Sequence, residues 1–157
     1  MRVFRVLALT AAVVAIGVAA CDDDEPVAPA VETYTAALNG ANEVEPPAKV
    51  ATNATGTATI TVNGNVLSYT LTTTGFAAGT TAPSGGTALP AHIHNGAAGV
   101  NGGIMANLTS NLNAAASGTV TVVDSVLTKM RTGNAYVNVH TNNRSAGEIR
   151  GQLVRTQ

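Results

Sequence analysis

Along residues 54–62 the chain reads ATGTATITV, so that Ala54, Gly56, Ala58, Ile60 and Val62 alternate with Thr55, Thr57, Thr59 and Thr61. A period of two puts the first set on one face of a strand and the threonines on the other. Asn63, Gly64 and Asn65 follow, residue types that accept the positive φ of a tight turn. The alternation resumes over residues 66–74, VLSYTLTTT, with Leu67, Tyr69 and Leu71 sharing a face. These two runs predict an antiparallel hairpin.

Further strands are predicted at 32–38, 91–95, 103–108, 118–123, 135–141 and 148–155, most of them bounded by Gly, Asn or Pro. One segment changes to a helical period. In DSVLTKMRTG, residues 124–133, Asp124 is the expected cap, Val126, Leu127 and Met130 form an apolar side, and Gly133 ends the helix. About eight short strands and one short helix predict an all-β domain, an antiparallel β-sandwich or barrel.

Composition limits what that domain can pack. The chain has 3 Tyr, 2 Phe and no Trp. Its core must therefore be small and aliphatic, with Tyr34, Tyr69 and Tyr136 as large packing units rather than a sugar-binding platform. Residues 75–90, GFAAGTTAPSGGTALP, predict a long loop before the next strand, and mobility is expected of it.

The first residues follow a different logic. Two arginines, an uncharged run and small residues before Cys21 make residues 1–20 a secretory signal peptide. The ending VAAC resembles the lipobox of bacterial lipoproteins, so Cys21, the sole cysteine, is the expected lipidation site. Residues 21–30, opening CDDDEPVAP, read as an acidic, solvated tether, and residues 31–157 as one domain. The expected location is the cell envelope, lipid-anchored outside the cytoplasm on the periplasmic face or the cell surface. The formal net charge is −1, and no basic face is present, which argues against nucleic acid as a partner.

The chain has 3 His, and two of them fall in PAHIHNGAAGVNGG. On a strand His92 and His94 project to one face; His140 lies on the alternating run Tyr136, Asn138, His140. If those strands pair, three imidazoles converge, and neutral imidazole is the commonest ligand for zinc and copper. The same residues have a second reading. Loop backbone surrounds them, and His92 or His94, able to donate and accept, can clasp NGAAGVNGG to TNNRSAGE. Glu43 and Glu45 in NEVEPP are close enough to act as an acid pair, but the two prolines that follow favour a rigid loop. Glu148 and Arg150 in GEIRG are expected to form a structural turn and ion pair. GAAGVNGG lacks the strand-to-helix context and the lysine of a phosphate loop. No serine–histidine–acid arrangement has support, and no catalytic residue is assigned.

The blocks LNGANEVEPP, GTATITV, LSYTLTTTG, AHIHNGAAGVNGG, NAYVNVHT and GEIRGQL resemble, in order, those of the CHRD domain, over roughly Tyr34 to Val154. That resemblance implies an immunoglobulin-like β-barrel related to copper/zinc superoxide dismutase, and it implies no settled activity. The His-x-His strand and the later strand histidine are also similar to three copper ligands of that dismutase, matching His92, His94 and His140. The fourth histidine, the zinc loop and the cysteine pair of the dismutase have no counterpart here. Superoxide chemistry would further need a guiding cation, for which Arg144 and Arg150 are the candidates. The expected function is a non-catalytic binding or interaction module with a protein partner in the cell envelope. The alternative is copper or zinc bound through His92, His94 and His140, for metal handling or superoxide chemistry.

Overall fold

The computed structural model describes residues 30–44, 50–83, 90–109 and 111–157. The signal peptide, Cys21, most of the tether, Glu45 and part of the 75–90 loop lie outside these residues. Among the described residues nine strands form: β1 (Glu32–Asn39), β2 (Thr55–Asn63), β3 (Val66–Thr74), β4 (Ala91–Asn95), β5 (Ile104–Leu108), β6 (Ala115–Thr121), β7 (Ala135–Val139), β8 (Ile149–Gln152) and β9 (Val154–Arg155). A 3-10 turn spans Gly40–Asn42, and α1 spans Asp124–Arg131. The strands pair antiparallel in the order β5-β4-β7-β8-β1-β2-β3-β6, with β9 also on β1. The end strands β5 and β6 come into contact without pairing, so the sheet is nearly closed into a barrel.

The all-β expectation holds, and so does the hairpin. Thr61 faces Ser68 and Val62 faces Leu67 across the turn, where Gly64 has φ +58°. Inside the barrel Ile60, Leu67, Leu71, Ile93, Val137, Val139 and Ile149 are fully buried. All three tyrosines are buried as well, so each packs rather than forming an open platform. The described part of the 75–90 loop is tied down. The Phe76 amide donates to Asn113 Oδ1 and its ring is buried; the Thr81 and Asn142 backbones are bonded to each other.

Several boundaries move. The sixth strand begins at Ala115 rather than 118, and the seventh ends at Val139. The predicted 148–155 strand divides at Leu153, whose amide donates to Ala135 O while its side chain turns into the core. Asp124 is the first helical residue and not the cap. Val123 holds the N-cap position without a side-chain bond, and Asp124 accepts from Asn65 Nδ2 at 2.6 Å. Gly133 does end the helix, at φ +71°.

The two halves of the sheet differ in their outward faces. On β3 burial alternates with each residue, and Ser68, Thr70, Thr72 and Thr74 are exposed. Every residue of β7 is buried, as are the first four of β4 and the first three of β8. There the outward positions are His92, His94, Tyr136, Asn138 and Arg150, roofed by residues 40–44 and 96–103. Burying so much polar surface outside the barrel is costly without a use for it.

Candidate metal centre

His92 and His94 reach the same face of β4, with Ile93 in the core between them. Cross-strand pairing sets His92 opposite Asn138 and His94 opposite Tyr136. His140 follows directly after β7, its amide donating to Pro90 O at 2.7 Å, and so stands beyond Asn138 on the same face. The three imidazoles converge as the spacing implied. One ring nitrogen from each lies within 4.8 Å of the others, and all three residues are buried. Among the described residues no carboxylate or thiolate joins this group.

The hydrogen bonds fix which nitrogen each ring offers. His94 Nδ1 is 2.9 Å from Gly102 O, and His140 Nδ1 is 3.0 Å from Ser145 O. A carbonyl oxygen only accepts, so both Nδ1 atoms carry the proton and both Nε2 atoms carry a lone pair. Those two Nε2 atoms lie 3.3 Å apart. One of them would have to be protonated for a hydrogen bond, and the surroundings oppose it. Burial, with Arg150 nearby, holds the His94 pKa below its ordinary value; burial, with His94 nearby, does so for His140. His92 is lowered to about 4, by burial first and then by the other two imidazoles. Its Nδ1 is buried without a partner.

Two facing lone pairs and an orphaned ring nitrogen are the donor set a cation satisfies. Two nitrogens each about 2.0–2.1 Å from a tetrahedral zinc stand about 3.3–3.4 Å apart, which matches the Nε2 pair. The clasp expected of His92 or His94 forms only in part, because His94 holds one of the two segments and a different ring, His140, holds the other. Nδ1 of His94 clasps residues 96–103, Nδ1 of His140 clasps residues 141–148, and the Nε2 atoms stay free for a ligand. Bound outward by backbone carbonyls, such rings are oriented as metal ligands are.

The model of the CHRD domain family matches residues 34–153. The chain belongs to the CHRD domain family. Nothing among the curated proteins matches it, and nothing among the solved structures does either. The expected similarity to copper/zinc superoxide dismutase is not shown by either comparison.

The remaining candidates of this CHRD domain go elsewhere. Glu148 and Arg150 do not form the expected ion pair. The Glu148 carboxylate accepts from Thr52 Oγ1 at 2.7 Å and Thr141 Oγ1 at 2.6 Å, while the Arg150 guanidinium turns to Asn101 Oδ1, Ala97 O and Val100 O. Residue 148 precedes β8 and is claimed by neighbours of its own, so a shared facing did not become a contact. The turn itself forms, with Gly147 at φ +140°. Arg150 is 1% exposed, which removes it as a guiding cation. Glu43 is buried in the polar layer, its Oε2 accepting from Asn138 Nδ2 at 3.5 Å. The sequence assigns Tyr136 to packing alone, yet its ring stacks on His94, centroids 5.0 Å apart and planes at 12°. The signal was present, since Tyr136, Asn138 and His140 alternate along one run.

Proposed function

We propose that this CHRD domain is a metal-binding module that holds one zinc or copper ion through Nδ1 of His92 and Nε2 of His94 and His140. The observation that carries the reading is the pair of Nε2 atoms facing each other at 3.3 Å, each left a lone pair when its Nδ1 donates to a carbonyl. Three neutral imidazoles leave room for an exogenous fourth ligand such as water. The role that fits is metal handling. The VAAC sequence supports a lipid anchor at Cys21, which would present the site outside the cytoplasm.

Titration of the full chain with zinc and copper under calorimetry tests this directly. One equivalent bound tighter than about micromolar, and lost in His94→Ala and His140→Ala, is the expected result. The Nδ1 clasps favour a second reading, a non-catalytic interaction module whose histidines only hold loops. Absence of binding, with both variants merely less stable, would establish that one instead.

A further inference from the structure

Resting on the metal reading of the three histidines, we infer that Arg150 and Tyr136 are positioning residues for the ligand His94, acting through residues 96–103. Arg150 is among the largest fully buried side chains of the described residues. Its Nη1 donates to Asn101 Oδ1 at 2.9 Å, and its Nη2 donates to Ala97 O at 3.0 Å and Val100 O at 2.8 Å. All three bonds go to one loop. The guanidinium carbon lies 3.4 Å from the centroid of the Tyr136 ring, the ring that also stacks on His94. The Tyr136 hydroxyl accepts from the Gly102 amide at 3.2 Å, and the Gly102 carbonyl accepts from His94 Nδ1.

Gly102 is where these contacts meet. A Cβ there would fall 1.7 Å from Asn95 O, so only glycine lets the loop return this closely onto β4. The carbonyl that sets the His94 tautomer is thus located by Tyr136 on one side and by the strand on the other. Arg150 holds the loop that connects them. Burying a guanidinium carries a desolvation cost that an apolar residue would avoid. What an apolar residue lacks is the rigid fork that ties three loop acceptors at defined angles. Asn101 extends the network, its Nδ2 donating to Val44 O at 2.8 Å across the roof.

Imidazole nitrogen chemical shifts report the tautomer of each histidine in the metal-free full chain, apart from any metal. Copper(II) titration and EPR of the same samples report affinity and ligand geometry. Wild type is compared with Arg150→Lys, Tyr136→Phe and Asn101→Ala, the last at an exposed position where folding is not threatened. The expected result is that His94 loses its single Nδ1–H form in the variants while His140 keeps its own. Copper affinity falls about 10- to 100-fold in Arg150→Lys and Tyr136→Phe, with altered EPR parameters and a lesser effect in Asn101→Ala. Folded variants with an unchanged His94 tautomer, wild-type affinity and the wild-type spectrum would overturn the inference and leave Arg150 a loop brace. A wild type that binds no copper, in variants whose His94 tautomer still shifts, would sink the metal reading and leave the positioning role standing.

Discussion

An imidazole has two nitrogens, and His94 and His140 put them to different uses: Nδ1 to a loop carbonyl, Nε2 to the shared centre. That division predicts how acid acts on the metal-free protein. All three histidines have folded pKa values below the ordinary 6.5, so the unfolded chain binds more protons than the folded one under mildly acidic conditions. Stability therefore falls as pH drops below about 6.5, down to the His92 value near 4. Glu32 adds to the loss lower down. Its pKa is depressed chiefly by the Arg131 hydrogen bond and then by Tyr34, so its contribution is present above the ordinary 4.5 and lost as pH falls through the folded value. Denaturant unfolding at several pH values checks this, and His92→Asn should flatten the slope between pH 6.5 and 4. An unaltered slope would mean that His92 is not held neutral. That His92 and His94 share a face was legible from a spacing of two, and His140 joined them once β4 paired with β7. Their tautomers were not, because Gly102 and Ser145 approach from separate loops.

Among elements, the weak point of the barrel is the seam where β5 and β6 touch without pairing. Tyr69 on β3 spans it from inside, its hydroxyl accepting from the Thr109 amide just past β5 at 2.8 Å. The ring lies against Gly118 on β6, where a Cβ would come 2.7 Å from the hydroxyl and 2.9 Å from the ring. Glycine in a strand is normally a cost, and here an aromatic neighbour covers it. Gly118→Val should displace Tyr69 and lower stability by about 1–3 kcal/mol, the range for overpacking, measured by chemical unfolding. The alternation of β3 gave away the inward facing of Tyr69; its reach to Thr109 depends on how far the barrel curls. The division of the predicted 148–155 strand has a similar origin. Its pattern is continuous, and the break comes from the pull of the core on Leu153 and of Ala135 O on its amide.

For the whole molecule, binding of a metal to the folded state alone should raise thermal stability. At a free metal concentration a hundred times Kd the gain is about 2.7 kcal/mol, a rise in Tm on the order of 10 °C for a domain of this size. Thermal scans with zinc, with copper and with excess chelator check it, and a chelator-insensitive Tm would count against the site. The sequence by itself determined the all-β architecture, the hairpin, the inward set of aliphatic residues and the common facing of His92 with His94, because strand alternation is a property of neighbours along the chain; bringing His140 beside them took the pairing of β4 with β7. Only the tertiary structure decided that the outward face of β4, β7 and β8 is covered while that of β3 is open, and that Glu148 and Arg150 part company. Those outcomes depend on what segments 40–44, 96–103 and 141–148 bring over the sheet from a distance. A roof of backbone carbonyls over histidines turns a shared facing into a set of oriented nitrogens, and no local pattern encodes where such a roof will land.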